Sequence, residues 1–136
     1  MSEHEHDVVS FSDGVSQTVL IVDDDPAQRH EIVTCLDDLG IQTAQAEDGI
    51  TAVEMVRALR PAVVIMDIRM PRLNGVDAVH HIGGQASTKI ILVSGDPESL
   101  YRANTSHLDV LTVIEKPIPL RNLSRFVLKA LGRDTH

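Results

Sequence analysis

Residue types suited to divalent-cation and phosphate chemistry recur at one kind of place in this sequence. Each stands at or just past the end of a short apolar run. Asp23 and Asp24 follow VLIV, Asp67 follows AVVIM, Ser94 closes KIILVS and Lys116 comes shortly after VLTVI. Brought together, Asp23, Asp24 and Asp67 repel one another: two unit charges about 5 Å apart cost roughly 3 kcal/mol at an effective dielectric of about 20. A hard divalent cation removes that cost. Mg2+ fits best, because it accepts one or two carboxylates and keeps several waters that a phosphate can replace. Asp23 and Asp24 would hold it from one side and Asp67 from the other, with the backbone carbonyl of Arg69 as a further ligand. A carboxylate can also attack phosphorus and form an aspartyl phosphate. Asp67, flanked by the cation and by Lys116, is the candidate nucleophile. The metal, Lys116 and the Ser94 hydroxyl would then supply charge and donors to the phosphoryl oxygens. Lys116-Pro117 is a candidate cis peptide, which would aim the lysine inward.

What must position these residues is legible from the apolar rhythm. VLIV (19–22), IQTAQA (41–46), AVVIM (62–66), KIILVS (89–94) and VLTVI (110–114) read as strands. Between them lie helices with recognisable ends. Asp25 caps a helix whose first residue is Pro26, whose apolar stripe is Ile32, Leu36 and Leu39, and which stops at Gly40. Asp48 caps the next, with Val53, Val56 and Leu59 inward and Pro61 after it. Asn74 caps a short helix that dies at Gly83-Gly84. Pro97 opens a fourth, reaching about His107, and Pro119 a last one with Leu120, Leu123, Val127 and Leu131 inward. Strands alternating with helices predict an α/β, doubly wound, five-stranded parallel sheet with helices on both faces. The all-apolar strands 1, 3 and 4 belong in the centre and the polar strand 2 at an edge. That gives the flavodoxin-like order 2-1-3-4-5. The ligand crevice of such a sheet lies beyond the carboxyl ends of its strands, where the residues named above converge. Glu47 and Asp48 follow the edge strand and are expected to sit away from it. No internal repeat is visible beyond the strand–helix alternation.

Composition narrows the function classes. The chain has 136 residues, enough for one domain with a core and too few for two ordinary ones. Its formal net charge of −8 disfavours direct nucleic-acid binding and anionic-membrane binding, both of which need a basic footprint. Cys35 is the single cysteine, so no internal disulfide forms. No apolar run reaches a membrane span, and MSEHEHDVVS lacks the features of a signal peptide. A cytoplasmic location is the expectation. Residues 1–16 are expected to be a flexible tail, in which the pair His4 and His6 is read as solvated. The domain is placed at 17–133, with 134–136 as a short tail. Nothing that reads as an ordered module follows Arg133, which implies a stand-alone regulator or a fragment of a longer protein.

The combination of IVDDDP, MDIRMPRLNG, ILVSG and EKP resembles the receiver domain of two-component response regulators, over residues 18–132. The resemblance implies that Asp23 and Asp24 are the acidic pair, Asp67 the phosphoacceptor, and Ser94 and Lys116 the hydroxyl and lysine of the site. It implies phosphoryl transfer from a histidine kinase or a histidine phosphotransfer protein, with Mg2+ required. The output would be contact with a downstream protein. One position departs from the pattern. The family usually carries an aromatic residue on strand 5, three positions before the lysine, and here that switch position, partner to Ser94, is Val113. Coupling from Asp67 to the surface of residues 97–131 is therefore expected to be weak or differently routed. A second feature is local: Arg69 lies two residues past Asp67 and Asp96 two past Ser94, positioned to pair across the entrance.

The simpler readings compete with these. DDD alone is equally a helix cap with solvated neighbours, Ser94 alone a turn residue and Lys116 alone a surface charge; in register, the site reading prevails. Arg121, Arg125, Lys129 and Arg133 recur every four residues on the last helix. They read first as a solvated face, and otherwise as a docking stripe for an acidic partner or a homodimer contact. His80 and His81 diverge on a helix and are read as surface. Cys35 is read as a packed side chain. Two rival functions remain. A magnesium-dependent phosphatase of the haloacid dehalogenase type also uses an aspartate after an apolar strand, but it needs an acid two residues on, where this chain has Arg69. A non-phosphorylated interaction module is the other, and the intact acids, serine and lysine argue against it.

Overall fold

The computed structural model of the chain describes residues 16–83 and 87–133. The apolar runs form strands β1 (Val19–Val22), β2 (Thr43–Ala46), β3 (Val63–Asp67), β4 (Lys89–Ser94) and β5 (Thr112–Glu115). They hydrogen-bond in the order β2-β1-β3-β4-β5, and every pairing is parallel. Helices α1 (Pro26–Asp38), α2 (Gly49–Leu59), α3 (Gly75–Ile82), α4 (Pro97–Thr105) and α5 (Leu120–Ala130) connect or follow them. The expected architecture and strand order are both present.

Side-chain alternation along the strands splits the core into two layers. Leu20, Val22, Val64, Met66, Ile90 and Leu92 face α2, α3 and α4. Val19, Ile21, Val63, Ile65, Ile91, Val93 and Ile114 face α1 and α5. Burial on both faces explains why β1 and β3 have no polar alternation. The more polar β2 is the edge.

Helix starts follow local chemistry. Asp25, Asp48 and Asn74 each accept a backbone N–H of the first turn, from Ala27, Thr51 and Asp77. Asp96 does the same for α4, accepting from Ser99 N at 3.0 Å. Gly40 follows α1 with φ +75, the left-handed conformation that a helix stop asks for.

Several boundaries and faces differ from expectation. Leu39 is 41% exposed because it is the C-cap of α1, and Ile41 takes the buried place beyond the turn. Leu59 is also exposed: it is the last residue of α2, before Arg60 turns the chain at φ 48, and Ala52 covers the sheet beside Val53 and Val56. Helix α4 ends at Thr105 rather than near His107, where the backbone is left-handed. Strand β5 runs from Thr112 to Glu115, not over 110–114. Val110 and Leu111 form an irregular approach in which Leu111 N donates to Ile90 O at 2.7 Å before the ladder begins. Ser16 is tied to the domain by its N–H, which donates to Arg60 O at 2.9 Å. His4, His6, Gly84 and residues 134–136 lie outside the described residues.

Candidate functional site

The strand register sets the site. Asp67 is the last residue of β3, opposite Val93, and Ser94 is the last of β4, opposite Glu115, so Lys116 emerges just beyond. Asp23 leaves β1, whose last residue Val22 pairs with Met66. The carboxylates of Asp23, Asp24 and Asp67 come within 4.8 Å of one another, a spacing that one small cation spans. Lys116 Nζ lies 2.8 Å from Asp67 Oδ2 and 3.6 Å from Asp23 Oδ2. The structure thus gathers Asp23, Asp24, Asp67 and Lys116 in one place, with Ser94 beside them at the same sheet edge.

Each group is oriented by its neighbours. Asp23 Oδ1 accepts the Asp25 N–H at 2.9 Å, and Asp67 Oδ1 accepts the Arg69 N–H at 3.1 Å. Ser94 Oγ accepts the Asp96 N–H at 3.0 Å, which leaves the hydroxyl hydrogen available to donate inward. The Lys116-Pro117 peptide bond is cis. Asp23, Asp67 and Ser94 are buried, whereas Asp24 is exposed. Gly75 matters by its size: a Cβ there would lie 2.8 Å from Asp67 O and from Ile68 Cα, so α3 starts in contact with the end of β3 only because no side chain intervenes.

The electrostatics are those of an acid cluster with one resident cation. Burial pushes the Asp23 carboxyl above the ordinary range; the Asp25 N–H pulls it back, and Asp67 raises it further. Burial also works against the Lys116 ammonium. The hydrogen bond and charge of Asp67, reinforced by Asp23, outweigh it and hold the lysine above its ordinary value. Crowded carboxylates at a sheet edge, one of them solvent-exposed, form the hard oxygen donor set that Mg2+ takes.

Beside the cluster opens a cleft of about 630 Å³, lined by Asp24, Arg69, Met70, Asp96 and Arg102 among others. The expected Arg69–Asp96 pair is present across it, at 3.9 Å. Val113 is half-buried and packs with the α2–α3–α4 layer. Arg121, Arg125, Lys129 and Arg133 are exposed, as are His80 and His81. Cys35 is half-buried, its sulfur 3.2 Å from Ser124 Oγ.

Two arginines in the surroundings escaped the sequence reading. Arg29 Nη1 donates to Asp23 O at 2.6 Å and Nε to Gln45 Oε1 at 3.1 Å, tying the end of β1 to the edge strand. A cation in a first helical turn opposes the helix dipole, and that was the available signal. Arg72 Nη1 lies 3.2 Å from Asp48 Oδ2. Asp48, set aside as an edge-strand residue, therefore reaches the loop that follows Asp67.

A doubly wound sheet with an acid cluster, a hydroxyl and a lysine at its carboxyl edge defines the receiver class of signalling domain. Residues 19–128 match the family model of the response regulator receiver domain, and the chain belongs to that family. It is 33% identical over 126 residues to the autoinducer 1 sensor kinase/phosphatase LuxN of Vibrio campbellii, a match covering 88% of this chain and 14% of that protein. It is 31% identical over 119 residues to the Regulator of RpoS of Escherichia coli K12, covering 86% of this chain and 35% of that protein. The chain thus spans well under half the length of these relatives. Among solved structures, a response regulator receiver protein from Pseudomonas putida is 29% identical with TM-score 0.76, over 85% of this chain and 98% of that one. The receiver domain of sensor histidine kinase PA1611 from Pseudomonas aeruginosa, with a magnesium ion coordinated in its active site cleft, is 27% identical with TM-score 0.76, over 87% of this chain and 99% of that one. Among the described residues no helix is long and apolar enough to cross a membrane.

Proposed function

We propose that the chain accepts a phosphoryl group on Asp67 from a histidine kinase or a histidine phosphotransfer protein, and signals by contact with a downstream protein. The observation that carries this reading is the convergence of Lys116 Nζ on Asp67 Oδ2 at 2.8 Å within a carboxylate cluster. An Asp67 oxygen attacks phosphorus; the O–P bond forms as the P–N bond of the phosphohistidine breaks, and the imidazole leaves with its electron pair. Lys116 and the Ser94 hydroxyl hold the phosphoryl oxygens. Asp23, Asp24 and Asp67, with the Arg69 carbonyl, would hold Mg2+, which when bound supplies the charge neutralisation that lets the anionic donor approach. A cytoplasmic setting and the domain limits 17–133 accompany this reading. So does the absence of direct nucleic-acid or membrane binding, which the net charge of −8 supports. A homodimer through α5 and its basic stripe is the assembly to test.

Incubation with acetyl phosphate and Mg2+, followed by intact mass, tests the central claim. The expected result is one phosphoryl group on the wild type and none on Asp67→Asn. Phosphate persisting in Asp67→Asn, or absent from the wild type, defeats it. Rapid turnover of phosphomonoesters would favour the phosphatase instead.

A further inference from the structure

The loop between β3 and α3 leaves Asp67, carries Arg69 along the cleft, and then lies against the start of α2. Its far end is fastened there in two ways. Arg72 Nη1 lies 3.2 Å from Asp48 Oδ2, and the Asp48 carboxylate is almost wholly buried while Arg72 is more than half exposed. Leu73 rests directly on Gly49, where a Cβ would fall 2.1 Å from Leu73 O and 2.9 Å from Leu73 Cβ. At its near end, the Arg69 N–H donates to Asp67 Oδ1 at 3.1 Å.

We infer that the Asp48–Arg72 pair is a clasp that sets the Asp67 carboxylate through the loop, making Asp48 and Arg72 positioning residues of the phosphoryl-accepting site. Global stability does not account for the pair. An ion pair with one exposed partner contributes about 0–1 kcal/mol. Arg72 meanwhile sits at φ +73, a left-handed conformation that costs a non-glycine residue roughly 1–2 kcal/mol. Asp48 is already satisfied as a helix cap by Thr51 N at 2.7 Å. What the clasp adds is a fixed end for a loop whose other end holds Oδ1 of Asp67, while Lys116 holds Oδ2. With both oxygens held, the carboxylate faces its neighbours Asp23 and Asp24 in one orientation. Ile68 is held independently of the clasp, its N–H on Val93 O at 2.9 Å and its carbonyl accepting from Gly75 N at 2.7 Å, so what loosens when Arg72 is freed is the outer stretch 69–72, which carries the Arg69 carbonyl and bears on the Arg69 N–H. Asp48 thus links the edge strand β2, remote in the sheet order, to the reacting residue on β3.

The inference rests on the proposed function, and its test separates the two. Arg72→Gly removes the guanidinium and suits the left-handed backbone. Asp48→Asn keeps the helix cap and removes the charge. Mg2+ affinity by titration calorimetry, the acetyl-phosphate reaction rate and Arg69 amide exchange are read on both variants and the wild type. The expected result is a Mg2+ affinity lower by roughly tenfold, in the range seen for groups that orient metal ligands. A slower phosphorylation and a faster-exchanging Arg69 amide accompany it. Arg72→Gly melts no lower than the wild type, and the double variant is no worse than either single one. Wild-type affinity and Arg69 exchange in Arg72→Gly overturn the clasp while leaving the function standing. A wild type that binds no Mg2+ and takes no phosphate on Asp67 overturns both.

Discussion

Lys116 reaches across the sheet to Asp67: their 2.8 Å contact joins the ends of β5 and β3, which are separated by β4. Lys116 also stands 3.6 Å from Asp23, so one ammonium offsets two buried acids. Removing it as Lys116→Met leaves that charge uncompensated. Breaking a fully buried pair costs about 3–5 kcal/mol; a lysine that is one-quarter exposed is discounted to roughly 1–3 kcal/mol. Urea unfolding without metal reads this loss. Added Mg2+ recovers more stability in the variant than in the wild type, because binding to the folded state alone shifts the equilibrium. An equal loss with and without Mg2+ contradicts the picture of a cation standing among the acids.

The converse change is at Asp23, whose carboxyl is pushed up chiefly by burial. Asp23→Asn removes a desolvated charge next to Asp67. The carboxylate repulsion, roughly 3 kcal/mol at about 5 Å, is already partly offset by Lys116. The expected gain in metal-free stability is therefore about 1–2 kcal/mol. The same variant is expected to lose its stabilisation by Mg2+. Thermal melts with and without the metal check both halves, and a variant less stable than the wild type in chelator rules the account out.

The fold was legible because its determinants are local. Unbroken apolar runs mark doubly buried strands, and Asp25, Asp48 and Asn74 are caps in the sequence and in the structure. The acids, Ser94 and Lys116 were legible because a parallel sheet brings its strand ends to one edge. What escaped depends on long-range contact. Arg72 has no local feature that points to Asp48, 24 residues earlier. Gly49 looks like an ordinary residue after a cap until Leu73 is laid on it. Leu39 and Leu59 fit the helical period yet stand at helix ends, where periodicity no longer says which way a side chain faces.

Arg69 and Asp96 face each other at 3.9 Å, with Arg69 72% exposed. An exposed pair of this kind adds little to stability, so the effect expected of it is on access: slower water entry to a phosphorylated Asp67. Arg69→Ala is expected to leave stability unchanged and to raise autodephosphorylation a few-fold. Asp96→Ala is the less clean test, because Asp96 also caps α4 and its loss removes that cap. Asp96→Ser retains a cap and drops the charge. Phosphate loss followed by intact mass decides; an unchanged rate in both Arg69→Ala and Asp96→Ser ends the gating idea.

Asp48 gives a pH signature. The Thr51 N–H, together with Arg72, holds its carboxyl below the ordinary value despite burial. A depressed folded-state pKa stabilises the fold above the unfolded value of about 3.9, and that contribution is lost as pH falls through the lower folded value. Asp48→Asn has no such carboxylate. The stability gap between wild type and variant is therefore expected to be constant near neutral pH and to shrink below about pH 4. Urea unfolding across that range checks it, and a gap that widens in acid reverses the assignment.

Val113 is half-buried opposite Leu92 in the β4–β5 register, and a small branched side chain there offers no ring that could move in response to the site. Tyr101 on α4 is 72% exposed. Loading Asp67 with a beryllofluoride phosphate mimic is therefore expected to protect amides of the loops at 68–74 and 94–96, which touch the site directly. Much smaller changes are expected over 97–131. Hydrogen exchange with and without the mimic makes the comparison within one protein. A large protection change centred on 97–131 would show that the signal reaches that surface without an aromatic switch, and the weak-coupling account would have to be given up.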